Sequence, residues 1–206
     1  MRLRQRSSPG ACRGISRTSW PPARAGAADL TRATIGFTGP EHIGGSFDIA
    51  RRFGAGGEWG IRINGTARGG DVAIDDEFRS TTVLGAAIDY NSGPLRASLD
   101  LAYQRVKVSH FRPKLSIAGL SAIPQAPDAS TNFGQPWQYT TLRDVFGQAR
   151  IEYDVAPGVM VYAAFGARDG AEEGIYSTPT LTNATTGAIN VSSSFIPRTD
   201  NNEAAT

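Results

Sequence analysis

The residues that could do chemistry are few, and their spacing excludes most of it. Cys12 is the single cysteine, and His42 and His110 are the only histidines. No disulfide framework, cysteine cluster or His-rich metal site can be assembled from them. Asp75-Asp76-Glu77 offers hard oxygen ligands of the kind Ca²⁺ takes, but its spacing is not that of an EF-hand loop, and a solvated loop tip accounts for it. Gly54-Ala-Gly56 shares the opening of a phosphate-binding fingerprint; position 59 is Trp and no helix follows, which makes it a turn. His110 with Asp100 and nearby serines lacks a nucleophile-elbow sequence. An enzyme is therefore not expected. What remains is a set of alternating charges. Arg62, Arg96 and Arg150, with Asp100, Glu152 and Asp154, most simply form ion pairs between neighbouring strands.

The elements that must hold those charges are long strands of period two. In 58–68, Trp59, Ile61, Ile63 and Ala67 oppose Arg62, Asn64, Thr66 and Arg68. Leu95, Ala97, Leu99, Leu101 and Tyr103 oppose Arg96, Ser98, Asp100 and Gln104, and Val145, Gly147, Ala149, Ile151 and Tyr153 oppose Gln148, Arg150, Glu152 and Asp154. Long strands with one apolar and one charged face suit the wall of a transmembrane β-barrel, with lipid outside and water or a plug inside. The 206 residues are 40% hydrophobic, and no apolar run approaches the ~20 residues of a spanning helix. Barrel strands carry a weaker hydropathy pattern, so a membrane is not excluded. The net charge of +2 misleads: six of the 21 Lys+Arg lie in the first 28 residues, leaving 15 basic against 19 acidic. Nucleic acid is not an expected partner, because the basic excess sits in one tail.

Residues 1–28 are rich in Arg, Ser, Pro and Ala without periodicity, and they lack the apolar core of a secretory signal. A transit peptide is conceivable; the preferred reading is disordered or spurious sequence over 1–33. About seven strands follow, near 43–53, 58–68, 79–91, 94–106, 143–154, 159–169 and 187–197. Short turns at 54–57, 91–94 and 154–158 alternate with polar loops near 69–78, 107–142 and 170–186. Each hairpin reverses direction, so the short turns share one end and the long loops the other, as in outer-membrane barrels. Phe53, Trp59, Tyr90 and Tyr153 flank the short turns and match an interfacial girdle; one such ring alone would be an ordinary hairpin aromatic.

Several stretches resemble the early barrel region of TonB-dependent siderophore receptors. They are Gly44-Gly-Ser-Phe-Asp-Ile-Ala-Arg-Arg-Phe-Gly54, Ile61-Arg-Ile-Asn-Gly65 through Asp71, Leu99-Asp-Leu-Ala-Tyr-Gln104, Ala126-Pro-Asp-Ala-Ser-Thr-Asn-Phe-Gly-Gln-Pro-Trp137 and Val161-Tyr-Ala-Ala-Phe-Gly-Ala-Arg168. The resemblance covers roughly 34–198. It implies a bacterial outer-membrane barrel of about 22 strands, plugged from inside, that imports ferric siderophores on energy delivered through a TonB box. No plug or TonB box is legible before residue 34, so contact with the TonB complex would run through a part this chain lacks. The expected architecture is thus all-β: an antiparallel up-and-down meander of about seven long strands, an open segment of a large barrel over 34–198, followed by a truncated tail at 199–206.

In such receptors, aromatic faces pack on the organic scaffold and guanidinium groups meet anionic chelate oxygens. The resemblance thereby nominates Phe111, Arg112, Phe133, Trp137 and Tyr139 from loop 107–142 and Tyr176 from loop 170–186; these rings could equally pack the loops on themselves. The implied partners are a ferric siderophore, as transported ligand rather than cofactor, and outer-membrane lipid. No cofactor is expected. A passive porin wall, an autotransporter wall or a soluble β-sandwich binding module shares parts of the pattern.

Overall fold

In the computed structural model, residues 24–38 and 41–206 are described. Most of the tail expected to lack structure lies outside them. Eight strands follow in chain order: β1 (Leu30–Thr38), β2 (His42–Phe53), β3 (Trp59–Asp71), β4 (Phe78–Ser92), β5 (Leu95–Ser109), β6 (Tyr139–Ala156), β7 (Val159–Asn183) and β8 (Ala188–Ala205). Every strand pairs antiparallel with its sequence neighbours in one sheet ordered β1 to β8. The two outer strands do not pair with each other, so the described meander is open.

Register carries the alternation across the sheet. Ile49 faces Ile63, Ile63 faces Ala86, and Ala86 faces Leu101. One row over, Ala50, Arg62, Ala87, Asp100 and Gln148 line up on the other side. Burial is then inverted relative to a water-soluble sheet. Leu101 is 48% and Ile63 44% exposed, whereas Asp100 is 1% and Asp89 7% exposed. The charged face is the concave one, and its side chains shield each other around a cavity of about 150 Å³ bordered by Arg52, Asp89, Arg96 and Glu152. A continuous apolar exposed face of this size marks a surface that meets another apolar phase or partner, and among the described residues no helix is long and apolar enough to cross a membrane.

Three of the aromatics that flank the short turns cluster at that end of the sheet. Phe53 and Trp59 stack at 6.3 Å, and Trp59 meets Tyr90 at 4.7 Å. The β4–β5 turn has only two residues, and Gly93 adopts φ 54° there, a conformation that costs glycine least. At the other end Gly70 (φ 145°) lets the backbone of β3 close on Glu41, whose carbonyl oxygen would stand 1.9 Å from any Cβ.

Three boundaries differ from the sequence reading. There are eight strands rather than seven: β1 begins inside the stretch 1–33 read as unstructured, with Ile35 and Phe37 exposed on the apolar side. The expected loop 170–186 is the upper part of a β7–β8 hairpin whose tip is 184–187, and residues 199–205 of the expected tail belong to β8. That hairpin rises beyond the apolar belt, where its alternation is written in small and polar residues: Gly170, Gly174, Ser177, Pro179 and Leu181 are the buried positions. Pro179 also reads as a strand breaker. Its carbonyl nonetheless accepts a bond from the Ser116 amide at 2.9 Å, and the ladder shifts register between Glu172 and Gly174, a bulge of the kind that bends a strand.

The face assignment predicts opposite costs at neighbouring positions. With the chain refolded in phospholipid vesicles, Ile63→Lys should destabilise by about 2–4 kcal/mol, since the ammonium enters hydrocarbon. Asn64→Lys, one residue along on the charged face, should cost less than about 1 kcal/mol. Urea titration followed by tryptophan fluorescence measures both; equal costs would contradict the assignment.

Candidate functional site

Topology gathers the long connections, 72–77 and 110–138, and the β7–β8 tip at one end of the sheet. They are tied together there by buried polar residues. Glu77 is 2% exposed; its carboxylate accepts from Arg79 Nε at 2.6 Å and from the Arg112 amide at 2.9 Å. The stretch Asp75-Asp76-Glu77 is therefore not a wholly solvated tip, and its buried member holds two loops together. The Asp75 amide donates to the Ser130 carbonyl at 2.9 Å. Asn132 Nδ2 donates to the carbonyls of Asp75 (2.9 Å) and His110 (2.7 Å).

Gln138, 1% exposed, does the same work for the hairpin. Its Oε1 accepts from the Gln135 amide at 2.6 Å and from the Ser177 hydroxyl on β7. Its own carbonyl accepts from the His110 amide at 2.7 Å. Ser116 adds a parallel bridge to Thr180, with the Leu181 amide donating to the Ser116 carbonyl at 2.8 Å. The long loop is thus a folded cap. Glu77, Asn132 and Gln138 escaped the sequence reading because a loop polar residue gives no hint of burial until its partners, 20–60 positions away, are known.

The six nominated residues are divided by this arrangement. Phe111 and Tyr176 meet, ring centroids 5.4 Å apart and tilted by 56°. The Tyr176 hydroxyl donates to Glu172 at 2.5 Å and lies 2.7 Å from Thr140 Oγ1. Burial first, then the bond to the Glu172 carboxylate, push the Tyr176 phenol above its ordinary value. Trp137 is exposed at 45% and Phe133 half-buried. Arg112 Nη1 donates to the carbonyls of Ala129 (2.5 Å) and Thr131 (3.4 Å), so its guanidinium braces the loop. Tyr139 is on β6, on the apolar-belt side of the sheet: Lys107 lies 5.8 Å from its ring centre, and its hydroxyl donates to Glu173 at 3.2 Å. Tyr176 is likewise a strand residue rather than a loop residue.

Beneath the cap, the concave face carries the expected lattice of charges. Arg62 pairs with Asp48 through two bonds of 2.9 and 2.7 Å. Arg96 holds Asp154 at 2.7 Å and Glu152 at 2.9 Å, and Arg150 reaches Glu152 at 2.6 Å. Arg52 pairs with Asp89. Asp100 departs from expectation: Ala87 and Gln148 face it directly, the arginine of its rung, Arg62, stands two strands away and is held by Asp48, and its Oδ1 has no hydrogen-bond partner. Arg24, ahead of β1, reaches across this face to the Ser98 hydroxyl at 2.7 Å. Among the described residues, no three His, Cys, Asp or Glu side chains converge as a metal site.

Comparison with known proteins gives this geometry a setting. The chain is 38% identical over 176 residues to the ferrichrome receptor FcuA of Yersinia enterocolitica, covering 85% of this chain and 23% of that receptor. This chain is homologous to a segment of the siderophore receptors. Its fold matches the crystal structure of BauA, the ferric preacinetobactin receptor from Acinetobacter baumannii, with a TM-score of 0.74 and 27% identity, over 79% of this chain and 24% of that one. No family model matches. The chain spans about a quarter of the length of the relatives it matches. Over that quarter the described residues form an open run of antiparallel strands with a capped end.

The cap's dependence on Gln138 is testable. Gln138→Leu strands the Ser177 hydroxyl and the Gln135 amide without partners, a cost of about 1–3 kcal/mol per buried group. Trypsin should then cut after Lys114 much faster than in the parent, while the fluorescence of Trp59 at the far end, read with Trp20 and Trp137 replaced by Phe, stays unchanged. Unaltered cleavage would mean that the loop is held by other contacts.

Proposed function

We propose that the protein containing this segment carries a ferric siderophore across a bacterial outer membrane. This segment contributes part of the barrel wall and part of the ligand-facing cap. The observation that carries the reading is the pairing of an outward apolar belt with an inward charged face, in a chain whose relatives are named for siderophore reception. A receptor of this kind binds and moves its ligand without changing its bonds, and no catalytic constellation is needed. Energy would come from a TonB complex acting through parts of the receptor outside the matched quarter. The ion-paired concave face would then meet an internal plug.

On this reading the capped end is extracellular, since long loops must reach out for ligand whereas short turns need only close a hairpin. Phe111, Tyr176, Phe133 and Trp137 offer flat apolar faces to an organic chelate. Arg112 acts by holding the loop, and Tyr139 belongs to the interface with lipid. A β-sandwich binding module would need a second packed sheet, and the described strands form one. A passive porin or autotransporter wall would share the strands without a ligand-binding cap.

In a full-length receptor carrying this sequence, Trp137→Ala should weaken ferric siderophore binding by about 1–2 kcal/mol, roughly tenfold in Kd, while Tyr139→Ala should leave it unchanged. In intact cells an impermeant maleimide should label Ser121→Cys in the cap and spare Ala55→Cys in the first short turn. The reverse labelling would invert the orientation, and equal binding by all variants would remove the cap from ligand recognition.

A further inference from the structure

On β1, β2 and β3 the concave face changes character toward the capped end. Thr34, Ser46 and Thr66 share one rung, Gly36, Gly44 and Arg68 the next, and Thr38 faces His42 on the last. They border a cavity of about 200 Å³ whose lining includes no Asp or Glu. Glycine makes the space: two of the three positions on the middle rung carry no side chain, and a Cβ at Gly44 would stand 2.6 Å from the Arg68 Cβ. Elsewhere on this face Arg52, Arg62, Arg96, Arg150 and Arg168 each hold a carboxylate. Arg68 holds none among the described residues, and the hydroxyls of Thr34, Thr38 and Ser46 make no hydrogen bond there. His42 Nε2 is buried and has no partner. A buried polar atom left unmatched costs free energy that a bound partner group recovers.

We propose that Arg68 and His42, with the hydroxyls of Thr34, Thr38 and Ser46, bind a carboxylate group carried by an organic ligand. The planar donor fork of arginine matches two carboxylate oxygens. An imidazole protonated on Nε2 and the three hydroxyls supply further donors. A free inorganic anion would meet the same donors. The cavity lies on the open concave side, however, so a carboxylate can enter while the body attached to it stays outside. Arg112 is occupied in bracing its loop, which leaves Arg68 as the unpaired guanidinium on the concave face near the cap. As a subsite for the transported chelate this rests on the reception reading above; as a carboxylate site it rests on the geometry of β1, β2 and β3 alone.

The chain has two histidines, so NMR of the untagged protein, labelled at histidine and refolded in neutral detergent, tests it. His110→Gln assigns the two imidazole resonances. Citrate added at constant pH and ionic strength should move the His42 resonance along a saturable curve and leave that of His110 in place. Arg68→Gln should raise the apparent Kd about tenfold. Arg68→Lys should raise it less, which separates loss of charge from loss of fold. No saturable shift with citrate, an equal shift with neutral glycerol, an unchanged Kd in Arg68→Gln, or tighter binding of inorganic phosphate than of citrate would each overturn the proposal. The titration contains no siderophore, so its failure removes this subsite alone. A null result for Trp137→Ala in the full receptor bears on the reception reading instead.

Discussion

Backbone pairing between neighbouring strands is the constraint from which the rest of this chain follows. In hydrocarbon there is no water to accept an N–H or donate to a carbonyl, so every spanning strand must satisfy its polar backbone through its neighbours. Seven consecutive antiparallel ladders do this from Leu30 to Ala205. Pairing also fixes side-chain parity. A slip of one residue would turn Ile61, Ile63, Leu99 and Leu101 into the charged interior and send Arg62, Arg96 and Asp100 into the belt. Register is thus held both by bonds and by the penalty for misplacing charge.

The same parity explains why the charged face is the buried one. In a soluble sheet, Asp89 and Asp100 at under a tenth exposure would be costly without partners. Here Asp89 pairs with Arg52 two strands away and Asp48 with Arg62 one strand away, whereas Asp100 keeps one buried oxygen without a hydrogen-bond partner. Arg24, arriving from before β1, adds a further cation to that surface. Ion pairs of this kind add little net stability, because desolvation offsets much of their attraction.

At the capped end the physics changes from patterning to individual bonds. The 110–138 loop has no periodic element, and it is held by single residues that satisfy several backbone groups at once: Glu77 for two loops, Asn132 for two carbonyls, Gln138 for the loop and β7. Such a cap holds Phe111, Tyr176 and Trp137 in a defined arrangement, which on the proposed reading would limit the entropy lost when a flat ligand docks.

The sequence by itself determined the faces of β3, β5 and β6 and which end of the sheet holds the short turns. Alternation in 58–68, 94–106 and 143–154 is a local property, readable because two-residue periodicity needs only near neighbours, and the short Gly/Pro/Asn turns set the parity that put all long connections together. Tertiary structure decided what depends on distant partners. The β7–β8 hairpin was illegible because, above the belt, no apolar face is demanded and Pro179 argued against a strand. Arg112 became a brace because the carbonyls of Ala129 and Thr131 reach it, and Tyr139 turned outward because β6 begins at that residue and sets its parity. Asp100 lost its expected partner for a similar reason: which residue stands opposite is set by register between strands, and neither strand's sequence specifies that alone.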